Sequence, residues 1–218
     1  MHERIEWQDL GSVPYDKAWR IQEELRVLRD DDAIVDRFLF VEHPSVFTLG
    51  KRDCSEDFLT SCDEIAADGI DVIKCNRGGR VTYHGPGQIV GYFIFKLSAM
   101  GLGVKEFVSA IEEICLRTLN HFEIQAARDE EHPGLWIKEN KIVAIGLNIS
   151  HDVTQHGFAM NVDCDMAPYR HIVACGIKDR GITTFARVLG LAPSQDEVKQ
   201  HIIKHMSDVL SREVLRIT

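Results

Sequence analysis

The chain has 218 residues, of which 44% are hydrophobic and 27% charged, which is typical of one globular α/β domain and leaves too little chain for two. Its net charge of −9 argues against a general binder of nucleic acid or of anionic membranes, because the field of the whole molecule would repel them. We expect one continuous domain over residues 1–218, with no nucleic acid and no membrane among its partners.

The cysteines and the first residues bear on the compartment. Residues 1–14 lack the apolar segment of a secretory signal, and no apolar stretch approaches the length of a membrane span. The six cysteines form no CxxC pair, so we expect reduced thiols in a cytoplasmic protein; they are Cys54, Cys62, Cys75, Cys115, Cys164 and Cys175. Most of them are expected to pack as small hydrophobes.

Three segments have the apolar spacing of amphipathic helices. They are SVPYDKAWRIQEELRVL (12–28), VKEFVSAIEEICLRTLNHF (104–122) and SQDEVKQHIIKHMSDVL (194–210). The first has a proline near its first turn, and the third opens with Ser194 and Glu197 in capping-box register.

Eight segments have the composition of strands, and several follow one another without an intervening helix. They are RFLFVEH (37–43), VFTLG (46–50), DVIKC (71–75), GRVTYH (79–84), QIVGYFIFKL (88–97), GLWI (134–137), KIVAIGLNIS (141–150) and TQHGFAMNVD (154–163). This order predicts an α/β fold of the α+β type, with a mixed, largely antiparallel sheet and helices packed on it, rather than a doubly wound fold.

The segment RGGRVTYHGPGQ (77–88) combines glycines with two arginines and leads directly into an apolar strand. Glycine lets backbone N–H groups approach a ligand, and Arg77 and Arg80 would add positive charge beside it. The alternative is a glycine-rich turn with solvated arginines. The spacing does not fit a phosphate-binding or dinucleotide-binding loop.

Two further residues are candidates for chemistry. Lys141 opens an otherwise apolar strand, where it is either a solubilising edge residue or an ammonium held in a partly desolvated pocket. Cys175 precedes a glycine close to Arg170, Lys178 and Arg180, surroundings that favour a thiolate. The alternatives for Cys175 are a structural role, or Cys164 as the reactive thiol.

The histidines and cysteines of the same region are possible zinc ligands; they are His151, His156, Cys164, His171 and Cys175. Their spacings match no structural zinc pattern, and the signatures of papain-type and caspase-type proteases are absent. We therefore predict neither a metal nor a protease.

Taken together, these segments resemble the octanoyltransferases of lipoate synthesis, the lipoyl(octanoyl) transferases. The resemblance is carried by VEHPSVFTLGKR, RGGRVTYHGPGQIVGY, GLWI, KIVAIGLNIS, HGFAMNV and ACGI, over roughly residues 35–185. The motif YHGPGQ distinguishes this family from the related lipoate and biotin ligases. One departure is Ala174, where many members have proline.

The resemblance implies the catalytic-domain fold of biotin and lipoate ligases. It implies an acyltransferase that moves an octanoyl group from acyl carrier protein, where a phosphopantetheine thioester carries it, to a lysine of a lipoyl domain. The lipoyl domains would be those of 2-oxoacid dehydrogenases and of the glycine cleavage H protein. The enzyme would need no cofactor of its own, since exchange of one thioester for another requires no ATP.

The resemblance also implies the site. Cys175 would be the nucleophile and Lys141 its partner, a cysteine–lysine dyad that forms an acyl-enzyme thioester. The substrate-binding residues would be Arg77, Gly78, Gly79, Arg80, Val81, Thr82, Tyr83, His84, Ala144, Ile145, Gly146, Gly157, Phe158 and Ala159. Small residues such as Gly79, Gly146, Gly157 and Ala159 are expected to let the acyl chain approach the wall. His84 and His156 either bind within the site or are satisfied structural histidines.

Both carriers implied by the resemblance are acidic, so positive charge is expected at the mouth of the pocket, from Lys51, Arg52, Arg77, Arg80, Arg170, Lys178 and Arg180. Three other hypotheses stay open: an ATP-dependent lipoate or octanoate ligase, a non-catalytic acyl-binding sensor, and a zinc-stapled structural module.

Overall fold

The structure is a computed structural model that describes residues 4–54, 56–177 and 179–217. Within these ranges the helices are α1 (Tyr15–Asp30), α2 (Cys62–Ala67), α3 (Leu97–Met100), α4 (Val104–His121), α5 (Phe185–Leu189) and α6 (Gln195–Leu210). The strands are β1 (Ile5–Ser12), β2 (Asp36–Glu42), β3 (Val46–Leu49), β4 (Asp71–Lys74), β5 (Val81–His84), β6 (Gln88–Ile94), β7 (Ala127–Arg128), β8 (Gly134–Ile137), β9 (Asn140–Ser150), β10 (Val153–Asn161), β11 (Gly181–Ile182) and β12 (Val214–Arg216). Two short 3-10 turns cover Ala167–His171 and Ala174–Gly176.

Most of the described strands form one large sheet in the order β12-β1-β2-β6-β10-β9-β8-β7, with β11 beside β9. From β2 to β7 every neighbouring pair is antiparallel, whereas β12–β1, β1–β2 and β11–β9 are parallel. A smaller sheet has the order β4-β3-β5. The predicted mixed, largely antiparallel sheet is confirmed.

The three predicted helices form, with small differences at their ends. Helix α1 begins at Tyr15, directly after Pro14, since proline fixes a φ that suits a helix entrance and donates no N–H. Helix α6 begins after Ser194, whose hydroxyl accepts a hydrogen bond from the Glu197 N–H. Among the described helices, none has the length and apolarity needed to cross a bilayer.

All eight predicted strands form, and the structure adds elements that the sequence analysis did not predict. The largest is β1, where Ile5 and Trp7 alternate with polar residues. Helix α2 has a complete capping box of Ser61 and Glu64, a signal present in the sequence. Very short elements such as β7, β11 and β12 have no periodicity to read.

The large sheet is covered on both faces. Helices α4 and α6 pack on one face, where a cluster of aromatic rings from β2, β6, β10 and α4 forms the main core. Helix α1 packs on the other face over Leu39, Val90 and Ala159. The small sheet has its own apolar cluster, which includes Phe47, Ile65 and Val81. The site described below lies between the small sheet and strands β9 and β10 of the large sheet.

Phe93 lies at the centre of the main core, fully buried, with ring centroids 4.8 Å from Phe38, 5.5 Å from Phe107 and 6.0 Å from Phe158. Phe93→Ala should lower the free energy of unfolding by about 3–5 kcal/mol, because it removes buried apolar contacts and leaves a cavity. Urea denaturation measures this change. Leu191→Ala is the control, since Leu191 is 81% exposed and should change stability by less than about 0.5 kcal/mol. Equal effects of the two substitutions would contradict this account of the core.

Candidate functional site

A cavity of about 340 Å³ lies between the segment that precedes β5, the strands β9 and β10, and the turn that contains Cys175. It brings together fourteen of the sixteen site residues predicted from the sequence. They are Arg77, Gly78, Gly79, Arg80, Thr82, His84, Lys141, Ala144, Ile145, Gly146, Gly157, Phe158, Ala159 and Cys175. Segments far apart in the chain therefore meet around one cavity.

Val81 and Tyr83 lie elsewhere. Side chains alternate between the two faces of a strand, so Thr82 and His84 line the cavity while Val81 and Tyr83 point into the core of the small sheet. The Tyr83 hydroxyl is 3.0 Å from the Ser45 hydroxyl. These two residues support the wall from behind instead of lining it, and their part in substrate binding stays a prediction.

Lys141 reaches the cavity because of an irregularity in β9. The register against β8 shifts from Leu135↔Val143 to Trp136↔Lys141, so Ile142 is an extra residue in the manner of a β-bulge. In a regular strand Lys141 would share a face with Val143, which is buried in the main core. The bulge instead allows Lys141 to line the cavity with Ala144 and Gly146.

Cys175 stands in a tight turn with left-handed backbone, φ +58° and ψ +11°, and its side chain is half-buried. Gly176 follows with φ +72°, and a Cβ there would lie 2.5 Å from the Arg80 side chain, so glycine is required. Arg80 in turn makes a two-pronged ion pair with the buried Asp57, at 2.7 and 2.8 Å. The carbonyl oxygen of Asp57 accepts a hydrogen bond from Val173 N–H at 2.7 Å. Arg80 and Asp57 thus hold the turn in place.

The Lys141 ammonium donates to the Cys175 sulfur at 3.8 Å and to the Pro133 carbonyl oxygen at 3.3 Å. It also lies 4.7 Å from the centre of the Trp136 ring, a cation–π distance. Lys141 is only 5% exposed. The nitrogen of a buried lysine is thus in contact with the Cys175 sulfur at the cavity wall, and a positive charge at this position favours the thiolate form of a cysteine.

Three glycines of the cavity wall, Gly78, Gly146 and Gly157, lie where two backbones pack closely on each other. Gly78 N–H donates to the Leu147 carbonyl at 2.8 Å, and a Cβ on Gly146 would lie 3.3 Å from the Gly78 oxygen. A Cβ on Gly157 would lie 2.2 Å from the Gly91 oxygen of the neighbouring strand. These glycines therefore permit backbone to pack on backbone.

Arg77 is buried, at 7% exposure, and fixes this segment to the small sheet. Its guanidinium donates to the hydroxyl and the carbonyl oxygen of Thr48, and to the Gly78 carbonyl at 3.0 Å. One arginine side chain thus ties β3 to the wall of the cavity, in place of the solvated arginine of the alternative hypothesis.

One part of the cavity wall is polar and was not predicted as a unit. Tyr15, His84, Tyr92 and His156 all line it, and the Tyr15 ring stacks on both histidines with centroids 5.9 and 6.4 Å apart. His156 Nε2 is 2.6 Å from Asn76 Oδ1 and His84 Nδ1 is 2.7 Å from Gln88 Oε1. Burial lowers the pKa of His156 to about 3 and the pKa of His84 well below its usual value. Both side chains are hydrogen-bonded within the structure and both line the cavity, and a part for them in substrate binding stays a prediction.

The remaining basic residues are spread more widely than predicted. Arg52 lines the cavity and is exposed, but Arg170 pairs with Asp68 at 2.5 Å and lies outside the lining. Lys51 donates to Asn148 Oδ1 at 2.6 Å. Lys178 lies outside the described residues. Carboxylate partners thus offset part of the positive charge expected at the mouth.

The histidines considered above as possible zinc ligands have separate partners. His151 pairs with Asp30 at 2.9 Å and His171 with Asp68 at 2.6 Å. Among the described residues, no three histidine, cysteine or acidic side chains are arranged to hold a metal ion. Cys164 is buried, which raises the pKa of its thiol to about 12 and makes it a poor rival to Cys175.

Sequence reasoning missed the residues that hold Lys141 from the side, Pro133 and Trp136, and the carboxylate that anchors Arg80, Asp57. GLWI was recognised as a strand, but nothing in it showed that the Trp136 ring would lie against Lys141. Asp57 is in an irregular segment, where a lone aspartate has no local signal of burial.

Comparisons of the sequence with a family profile and with known proteins agree on one family. The sequence profile of the family "Lipoyl protein ligase A/B catalytic domain" matches residues 14–207. The chain is 40% identical over 190 residues to an octanoyltransferase of Dictyoglomus thermophilum, covering 87% of this chain and 80% of that protein. It is 39% identical over 208 residues to an octanoyltransferase of Alkaliphilus metalliredigens, covering 95% of each.

Solved structures with the same fold are more distant in sequence. A bipartite lipoate protein ligase from Thermoplasma acidophilum has a TM-score of 0.73 at 15% identity, covering 100% of this chain and 88% of that one. A biotin protein ligase from Aquifex aeolicus has a TM-score of 0.60 at 17% identity, covering 95% and 70%. These likenesses confirm the predicted fold, and at such identities they bear on the fold alone.

The cysteines should differ sharply in reactivity. Cys175 is half-buried and Cys62 exposed, whereas Cys115 and Cys164 are buried, which raises the pKa of both thiols. Iodoacetamide at pH 7.5 should therefore modify Cys62 and Cys175 at least about tenfold faster than Cys115 and Cys164. Peptide mapping at timed intervals measures the rates, and urea-unfolded protein, in which all sites react, is the control. Labelling of Cys164 before Cys175 would contradict the arrangement described.

Stability should fall in mild acid. Burial lowers the pKa of His43 to about 4 and of His156 to about 3, so both stay neutral in the folded chain while the unfolded chain binds protons near pH 6.5. Protons then favour unfolding as the pH drops below 6.5, by about 1–1.5 kcal/mol for each histidine between pH 7.5 and 5.5. Urea denaturation at the two pH values measures the loss. His43→Gln should reduce the difference, because glutamine binds no proton in the unfolded chain. An equal pH slope in His43→Gln and wild type would refute this explanation.

Proposed function

The chain belongs to the lipoyl protein ligase A/B catalytic domain family, among its octanoyltransferases, and is an acyltransferase; from this premise we propose that it forms an octanoyl thioester on Cys175. The donor in this proposal is octanoyl-acyl carrier protein, and the acceptor is a lysine of a lipoyl domain. The observation that carries the proposal is the 3.8 Å contact between the Lys141 ammonium and the Cys175 sulfur inside the cavity.

The first step exchanges one thioester for another. The Cys175 thiolate attacks the carbonyl carbon of the octanoyl thioester, and the bond from that carbon to the phosphopantetheine sulfur breaks. The leaving thiolate takes a proton, which the Lys141 ammonium can supply. Since the bond broken and the bond formed are of the same kind, the step needs no ATP.

The second step forms an amide. The acceptor lysine amine attacks the acyl-enzyme carbonyl, Cys175 leaves as a thiolate, and the nitrogen loses a proton to neutral Lys141, which returns to its starting charge. A single side chain thus gives a proton in one step and takes one in the next. The position of Lys141 between the sulfur and the Pro133 carbonyl suits both tasks.

The oxyanion of a tetrahedral intermediate needs hydrogen-bond donors, and several backbone N–H groups near Cys175 already have acceptors. Within the Cys175 turn, Gly176 N–H already donates to Val173 at 2.9 Å and Ile177 N–H to Ala174 at 3.2 Å. The Gly78 N–H is likewise bonded to Leu147. The Lys141 ammonium, which donates to the sulfur, is a donor that can stabilise the oxyanion of the first step.

The cavity also suits an apolar chain. Val90, Ala144, Ile145 and Ala159 line it with apolar side chains, and its volume of about 340 Å³ is within the range of small-molecule sites. The glycines admit the neighbouring backbone, and the space that remains between the two sheets would receive the octanoyl group.

Substitution of the two reacting groups tests the proposal. After mixing with octanoyl-acyl carrier protein, wild type should gain the mass of one octanoyl group, and Cys175→Ala should gain none because the nucleophile is gone. Lys141→Gln should form the adduct roughly 100-fold or more slowly, the usual effect of losing a general acid–base. Intact-mass spectrometry at timed intervals measures both.

Cys164→Ala is the matched control, since it removes a buried thiol from the same half of the chain and should acylate like wild type. An adduct on Cys175→Ala would place the nucleophile elsewhere. ATP-dependent transfer by Cys175→Ala, with no covalent adduct on wild type, would instead identify a ligase. Binding of octanoyl thioester without adduct or transfer in any protein would identify an acyl-binding sensor.

A further inference from the structure

A second group of charged residues lies near the Lys141–Cys175 contact, and the mechanism above does not use it. The Arg180 guanidinium lies 4.7 Å from the centre of the Trp136 ring, the same distance as the Lys141 ammonium. One indole therefore contacts two cations. Because the two cations repel each other, carboxylates are needed to hold the outer one, Arg180, in place.

Those carboxylates are Asp129 and Glu139. Arg180 Nη1 is 2.6 Å from Asp129 Oδ2, and its Nε is 3.0 Å from Glu139 Oε2. The Asp129 side chain is largely covered, at 19% exposure, whereas that of Glu139 is 70% exposed. Arg180 holds the pKa of Asp129 down to about 2, so this carboxylate stays charged throughout the working range of pH.

Asp129 also orders the loop that holds Lys141. Its Oδ1 accepts hydrogen bonds from the N–H groups of Glu131 at 3.0 Å and His132 at 2.9 Å. The His132 carbonyl accepts from the Trp136 indole N–H at 3.1 Å, and the next carbonyl, that of Pro133, accepts from Lys141. One carboxylate thus connects the loop that positions the ammonium with the segment that follows the Cys175 turn.

We propose that Asp129 and Arg180 are positioning residues for the Cys175–Lys141 pair, acting through the loop 129–133 and the Trp136 ring. The inference rests on the proposed function and adds to it a pair of residues that touch no reacting atom. Without the Asp129 carboxylate, Arg180 loses its shielded partner and the two loop N–H groups lose a charged acceptor, so the Pro133 carbonyl and the indole no longer fix the lysine at 3.8 Å from the sulfur. Displacement of a reacting group by about 1 Å can cost roughly 100-fold in rate.

A second role for Arg180 was predicted from the sequence, as part of the basic surface that docks the acyl carrier. The two roles differ in what they change. Docking requires the carrier protein and would alter the concentration needed for half-maximal rate. Positioning would alter the maximal rate of acyl-enzyme formation even with a small thioester such as octanoyl-pantetheine, which has no protein attached.

The test uses Asp129→Asn, with Glu139→Gln as the matched control at the same arginine. With octanoyl-pantetheine in single-turnover measurements, Asp129→Asn should lower the maximal rate of adduct formation roughly 10- to 100-fold while the half-saturating concentration changes less than about twofold. Glu139→Gln should stay within about threefold of wild type, because an exposed ion pair contributes little. Asp129→Glu should recover part of the rate.

Alkylation of Cys175 by iodoacetamide supplies a readout that does not depend on octanoyl transfer. Its rate at pH 7.5 should also fall in Asp129→Asn and not in Glu139→Gln, because the ammonium no longer stays beside the sulfur. If Asp129→Asn fails to fold, Arg180→Gln takes its place, since that side chain is 28% exposed and ends the same pairing.

A wild-type maximal rate in Asp129→Asn, or a defect seen only with the carrier protein, would overturn the positioning role. So would equal losses in Asp129→Asn and Glu139→Gln. Absence of an adduct on wild type would count against the proposed function instead, and the alkylation rates would still decide the role of Asp129.

Discussion

The site depends on keeping the ammonium group of Lys141 buried at the cavity wall, against the strong preference of a charge for water. Burial of a charged group is costly unless hydrogen bonds and opposite charges replace the lost solvent. For Lys141, the neighbours found among the described residues are a carbonyl oxygen, an aromatic face and a thiol. Because none of these three is a carboxylate, the ammonium is not neutralised by a permanent partner, and a thiolate at Cys175 would be its best counter-charge. The chemistry and the desolvation cost are thus two aspects of one arrangement.

The segments that bring the pair together are each stabilised by contacts of their own. Lys141 is carried by a strand near the middle of the large sheet and turned to the cavity by the bulge at Ile142. Cys175 is carried by a turn that rests on Arg80 and, through it, on Asp57. A short parallel pairing of β11 with β9, at Ile182↔Lys141, joins the chain after Cys175 to the strand of the lysine. The distance between nitrogen and sulfur is therefore set by backbone pairing as well as by side chains.

Much of the fold could be read from the sequence, because the long helices and strands have clear periodicities. The fourteen site residues that meet at the cavity were found because they lie in segments that resemble a known family, and their chemistry is consistent with that resemblance. Local rules could not place Val81 and Tyr83, since the side of β5 that faces the cavity depends on how the small sheet packs. The bulge could not be read either, because Lys141, Ile142 and Val143 show no turn residue that marks a shift of register. The same holds for Arg77 and Asp57, whose burial arises from contacts with distant segments.

The large sheet has a further property that follows from its order of strands. Its two outermost members are β12, of three residues, and β7, of two, whereas the strands between them reach eleven residues. Unpaired N–H and C=O groups along a sheet margin are templates onto which another chain can add by backbone pairing. Because β12 and β7 are this short, the two outermost strands among the described residues offer little backbone for such pairing.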